Sequence, residues 1–108
     1  MDTFELRDLE ARRAAAGRPY LEFLRSSDLS AGLYELEAGS VDGQSPHTED
    51  EVYVVLRGRA TIRVASEQRP VGAGSVVFVT AGVDHRFVDI VEDLAVIVLF
   101  APPEGDRR

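Results

Sequence analysis

Gly39-Ser40-Val41-Asp42-Gly43-Gln44-Ser45-Pro46-His47-Thr48-Glu49-Asp50-Glu51-Val52-Tyr53-Val54-Val55-Leu56-Arg57-Gly58 joins a polar, turn-forming half to a half of branched and aromatic residues. Val52 to Leu56 has the make-up of a β-strand. His47 and Glu51 stand four apart, which on a helix would place them on one face. Pro46 before them and the β-prone run after them argue against that helix. On a straight strand, four steps of about 3.3 Å separate their Cα atoms by roughly 13 Å, too far to share one ion. If the two act together, Thr48-Glu49-Asp50 has to bend and fold the second strand back toward the first.

Outward from this stretch the same texture repeats. Tyr20 to Leu24, Leu33 to Ala38, Ala60 to Ala65, Val76 to Val79, His85 to Val88 and Ala95 to Phe100 are further short β-prone runs. They are separated by Gly39, Asp42-Gly43, Gly58, Pro70, Gly72, Gly74, Gly82 and Asp93, the spacing of a sandwich or closed barrel. Ala60, Ile62 and Val64 face one way and Arg59, Thr61 and Arg63 the other, so that strand has a buried and a wet side. Val76 to Val79 and Ala95 to Phe100 do not alternate. They predict strands covered on both sides, by a second layer or by a second subunit, and hence a homodimer. Leu6 to Gly17 reads as a short, mostly solvated helix or arm with a glycine stop. The tail from Pro102 to Arg108, polar and rich in breakers, is expected to be frayed.

Composition narrows the chemistry. At 108 residues with 44% hydrophobic content, the chain suits one domain with one core. It has no cysteine, which excludes disulfides, thiolate nucleophiles and sulfur-ligated metals and leaves nitrogen and oxygen as ligands. A net charge of −7, with scattered basic residues, opposes nucleic acid binding. The N-terminal residues lack the pattern of a signal peptide and no apolar run is long enough to cross a bilayer, so a cytoplasmic protein that does not engage membranes is expected.

The chain has only two histidines, His47 and His85, each beside a β-rich run at a turn. Their surroundings resemble the two motifs of the cupin superfamily. The first reads glycine, five residues, His-x-His, three or four residues, Glu, six residues, glycine; Gly39, His47, Glu51 and Gly58 fill those slots over residues 39–58. Ser45 stands where the first histidine is usual. The second reads glycine, five residues, Pro-x-Gly, two residues, His, three residues, Asn; Gly74, Gly82 and His85 match it over residues 74–89, with Thr80 in place of the proline and Asp89 in place of the asparagine. The resemblance implies an all-β fold, a cupin-like double-stranded β-helix (jelly-roll) barrel with a short N-terminal helix or arm, spanning residues 1–108 as one domain.

The same resemblance implies that His47, Glu51 and His85 hold one divalent metal ion: iron, manganese, nickel or zinc in preference to calcium, because two imidazoles suit the borderline ions. Gln44 is the candidate substitute for the missing histidine. Tyr53 and Phe87, on the faces of Glu51 and His85, and Tyr34 are candidate pocket-lining residues, with core packing as the competing explanation. Glu49 and Asp50 read as a solvated acidic turn, Arg57 and Arg63 as residues of the wet face, and Asp89 as a turn former. The function expected is a metal-dependent enzyme acting on a small molecule, an oxygenase or an isomerase or decarboxylase. The alternative is a cupin domain that binds or senses a small ligand without turnover.

Overall fold

The computed structural model describes residues 1–44 and 46–106. Its elements are α1 (Leu6–Ala16), β1 (Tyr20–Arg25), β2 (Ser30–Leu36), β3 (Asp50–Val64), β4 (Glu67–Gly72), β5 (Val76–Val79) and β6 (His85–Ala101). The strands form a six-stranded antiparallel sheet in the order β1-β2-β6-β3-β4, with β5 paired along the first part of β3.

The long β3–β6 ribbon sets the shape. Asp50 to Arg57 pair with Ala101 to Ala95, and Arg59 to Val64 pair with Glu92 to His85. Drawn straight, β3 from Glu51 to Val64 would run roughly 43 Å at about 3.3 Å per residue. The longest dimension of the whole molecule is 36 Å. The ribbon therefore curls, and it does so at identifiable residues. Register shifts fall between Val55 and Thr61. Before them Glu51, Tyr53 and Val55 point inward, and after them Ala60 and Ile62 do, so the inward parity switches as bulged residues dictate.

β6 makes the matching change. His85 and Phe87 are buried, then Ile90, Leu94, Val96, Val98 and Phe100. The switch occurs at Asp89, whose φ of 47° is left-handed. Asp and Asn are the side chains that tolerate that conformation best after glycine. Asp89 thus fills the slot of the motif asparagine as a bulge within a strand, not as the turn expected. At the corner, Gly58 has φ 93°. A Cβ there would lie 2.2 Å from the Asp93 carbonyl oxygen, so only glycine lets the two backbones approach.

α1 lies over β1 and β2, burying Leu9. It ends at Gly17, whose φ of 70° and N–H bonds to the Arg13 and Ala14 carbonyls form the stop anticipated. The remainder of the helix is largely exposed, as expected.

Several expectations need correction. Gly58 and Asp93 do not separate strands; they are the bends inside β3 and β6. Pro70 and Gly72 belong to β4, an edge strand opposite Arg59 to Val64, where a proline costs no ladder bond on the outer side. Val76 and Phe78 are 67% and 61% exposed, so β5 is not covered on both sides within one chain. The tail is not frayed through its described part: Pro103 is buried, the Glu104 N–H donates to Ser30 Oγ at 3.0 Å, and Arg25 donates to the Glu104 carbonyl at 3.0 Å.

Gly58→Ala is expected to lower stability by about 2–4 kcal/mol in urea unfolding, because it combines a left-handed backbone with a backbone clash. Gly39→Ala, also at positive φ but facing open space, is expected to lose only about 1 kcal/mol.

Candidate metal centre

The curl of the ribbon brings opposite ends of β3 and β6 together. Val79 on β5 pairs with Glu51, and the short turn after β5 delivers His85 to the start of β6. His47 sits outside the strands, on the segment leading to β3, where the bend at Thr48-Glu49 folds the chain as the spacing requires. The Gly82 N–H holds the His47 carbonyl at 2.7 Å, and the Ala81 N–H holds Asp50 Oδ1 at 2.9 Å. The two motif loops are thereby tied to each other.

One ligand atom each of His47, Glu51 and His85 lies within 4.8 Å of the others, a group that can hold a metal ion. His85 Nε2 is 2.6 Å from Glu51 Oε1, and His47 Nε2 is 3.9 Å from Glu51 Oε2. Glu51 and His85 are only 1% and 2% exposed. Both Glu51 oxygens and His85 Nε2 nevertheless lack a hydrogen-bond partner among the described residues, although they crowd together. A buried carboxylate without donors is costly, and lone pairs gathered on one point suit a shared cation. His85 Nδ1 lies 2.8 Å from the Val83 carbonyl, which as an acceptor places the proton on Nδ1 and frees Nε2 for that point. The donor set, two imidazoles and a carboxylate, therefore fits a borderline divalent ion.

Behind this group lies a buried carboxylate that the sequence reading passed over as a turn residue. Asp42 accepts the Tyr34 hydroxyl on Oδ1 at 2.6 Å, the Gln44 side-chain amide on Oδ2 at 2.6 Å and the Phe87 N–H on Oδ2 at 2.8 Å. Gln44 in turn accepts the Tyr53 hydroxyl at 3.0 Å. The Gln44 amide oxygen, expected to replace a motif histidine on the metal, is here engaged by Tyr53. Ser45, in the histidine slot itself, lies outside the described residues.

A cavity of about 130 Å³ opens beside the centre, lined by Tyr20, Tyr34, Gln44, His47, Glu51, Tyr53, Val98, Phe100 and Glu104. That is the liquid volume of roughly four waters, at about 30 Å³ each. Of the expected lining residues, Tyr34 and Tyr53 are there. Phe87 is not: it packs behind Tyr53, with ring centroids 4.9 Å apart, and belongs to the core. A larger cleft of about 540 Å³ lies between α1 and β2, away from the two histidines. Ion pairs of Arg13 and Arg57 with Glu35, and of Arg57 with Glu10, occupy it, which places Arg57 outside the site.

Electrostatics keep the cavity's hydroxyls protonated. Burial, then the negative charges nearby, push Tyr20, Tyr34 and Tyr53 far above the usual tyrosine range, with Gln44 opposing the shift at Tyr53. For His85, burial acts downward, but Glu51 and the Val83 carbonyl outweigh it and the pKa is raised. Glu104 is raised by burial against the lowering influence of His47.

Five residues were missed or misjudged from sequence. Asp42, Tyr20 and Glu104 carry no motif signal. Glu49, expected to be solvated, is buried and receives the Thr48 hydroxyl, while Asp50 is tied to Ala81.

The architecture agrees with what comparison with known proteins finds. Residues 32–101 match the cupin domain family, and the chain belongs to it. An uncharacterised protein of Streptomyces coelicolor is 55% identical over 105 residues, 97% of this chain and 100% of that one. Among solved structures, an RmlC-like cupin of Shewanella frigidimarina superposes with a TM-score of 0.73 at 23% identity, over 81% of this chain and 78% of the other. An RmlC-like cupin of Methanocaldococcus jannaschii, described as a double-stranded β-helix, does so with a TM-score of 0.70 at 15% identity, over 77% and 78%. The fold is therefore the double-stranded β-helix, as the motifs implied. Among the described residues no helix is long and apolar enough to cross a membrane.

Asp42→Ala strands several buried donors at once and is expected to cost about 2–4 kcal/mol in urea unfolding, against about 1 kcal/mol for Tyr34→Phe. Because both changes break the same bond, the double variant should lose less than the sum.

Proposed function

We propose that this protein is a metal-dependent cupin enzyme acting on a small, oxygen-bearing molecule bound in the cavity beside His47, Glu51 and His85. The supporting observation is the buried Glu51 carboxylate, which meets His85 Nε2 at 2.6 Å and His47 Nε2 at 3.9 Å, has no hydrogen-bond partner among the described residues when those nitrogens are unprotonated, and borders a cavity. A divalent ion held by these three side chains would supply Lewis-acid polarisation of a substrate oxygen, as an isomerase or decarboxylase needs, or the open coordination positions of oxygenase chemistry.

The chain's own residues define what enters. Val98 and Phe100 give the cavity an apolar wall, which excludes water and strengthens polar contacts inside. Tyr34 and Tyr53 are committed to Asp42 and Gln44 and act as fixed walls. Tyr20 differs: its hydroxyl is buried without a partner among the described residues, and it remains protonated. It is the donor available to a substrate oxygen.

A second reading is binding without turnover, favoured by Ser45 in the slot of a motif histidine. Turnover on a panel of small oxygenated acids and phenols separates the two readings, since a binding domain would retain such a compound unchanged.

We also propose that a second copy covers the exposed apolar stripe of β5 and its neighbours. Phe78 pairs with Val52 and Val76 with Val54, and on the other side of β3 these face Leu99 and Ile97. The stripe is uncharged and continuous across the sheet, the kind of patch that marks an interface.

Elemental analysis of protein isolated without chelator should find one equivalent of iron, manganese, nickel or zinc. Chelation should lower the melting temperature by mass action, and His85→Ala should abolish both the bound metal and that response; absence of metal in the wild type overturns the reading. Light scattering should give a dimer mass that Phe78→Glu reduces to the monomer.

A further inference from the structure

We infer that Glu104, brought to the site by the C-terminal segment, is a positioning residue that fixes the tautomer of His47. The inference deepens the metal-centre reading and rests on it for its consequence, though not for its geometry.

His47 presents its two ring nitrogens to different groups. Nε2 faces Glu51 at 3.9 Å and shares the centre with His85, while Nδ1 faces Glu104 Oε2 at 3.3 Å. A neutral imidazole carries one proton, and it binds a metal through the nitrogen that lacks it. A carboxylate beside Nδ1 favours the proton there and leaves the Nε2 lone pair directed at Glu51 and His85. His85 reaches the same state by another route, with the Val83 carbonyl as acceptor. Among the described residues of its own loop none supplies His47 with a comparable acceptor: its carbonyl is taken by Gly82, and its ring packs on Phe100 with centroids 4.7 Å apart.

Glu104 is held for this task. Its N–H bonds Ser30 and its carbonyl receives Arg25. Pro103 before it is buried, and the Asp106 N–H closes a turn on the Pro103 carbonyl at 2.9 Å. The segment is thus fastened to β1 and β2 by backbone contacts that do not involve the carboxylate. The carboxylate is left to face His47 and to line the cavity. Removing the side chain should therefore spare the fold and alter the histidine.

The test uses nitrogen-15 NMR of the metal-free full chain, which distinguishes the two neutral tautomers and the imidazolium of each histidine, together with Zn²⁺ affinity by chelator competition. Wild-type His47 should be the Nδ1–H tautomer. Glu104→Ala should shift it toward Nε2–H and weaken Zn²⁺ binding by about 10–100-fold, the usual effect of losing such a partner. Glu104→Gln, whose amide oxygen still accepts the proton, should keep the tautomer and bind Zn²⁺ with intermediate strength. Wild-type His47 found as Nε2–H overturns the assignment before any variant is made, as does a Glu104→Ala protein with unchanged tautomer and affinity. If wild-type protein takes up no Zn²⁺, the metal reading fails, while the tautomer arm still decides the role of Glu104.

Discussion

Everything at this site depends on the curling of the β3–β6 ribbon. Glu51 and the residue paired with His85, Val64, lie near opposite ends of one strand, yet Glu51 Oε1 and His85 Nε2 are 2.6 Å apart. The short turn after β5, whose Val79 pairs with Glu51, delivers His85 to this point only because the ribbon bends. That bending takes the bulges between Val55 and Thr61, the left-handed Asp89 and the close backbone approach at Gly58. Each bend also switches which side chains point inward, so one device both closes the barrel and chooses its lining.

The curl leaves a polar interior that must be satisfied piece by piece. Asp42 is the main solution. Alone among the described buried carboxylates it accepts from two side chains and a β6 backbone amide, and it locks Tyr34 and, through Gln44, Tyr53. Buried networks are stable when every member is paired. Among the described residues the buried side-chain atoms left unpaired are both Glu51 oxygens, His85 Nε2, the Tyr20 hydroxyl and Arg86 Nε, and all but the last border the candidate centre or its cavity. Incomplete bonding thus coincides with the place where chemistry is expected.

Much of this was legible in the sequence, for physical reasons. Strand positions followed from branched and aromatic runs between turn formers, and a bend within Thr48 to Asp50, found at Thr48-Glu49, followed from reach once His47 and Glu51 were taken to act together. His47, Glu51 and His85 stood out because motif glycines framed them. The remainder was hidden because it depends on contacts between distant residues. β4 is too polar to announce itself, since an edge strand needs little apolar surface. Gly58 and Asp93 looked like strand ends because a bulge and a turn use the same residues. Gln44 lay near enough to serve as a ligand, but nothing local revealed that Tyr53 would claim its oxygen. Asp42 and Glu104 are ordinary acidic residues until the barrel closes around them.

The curled ribbon also has a kinetic consequence. Of the three converging side chains, His47 and Glu51 come from one short stretch and His85 from a segment more than thirty residues further on, so the centre closes only when distant parts of the chain have paired. Such non-local closure makes for slow folding. A cation bound by these side chains would find no preformed seat in the open chain, so it would reward only the finished barrel. Its effect would fall on the lifetime of the native state, by slowing departure from it, and not on the speed of arrival.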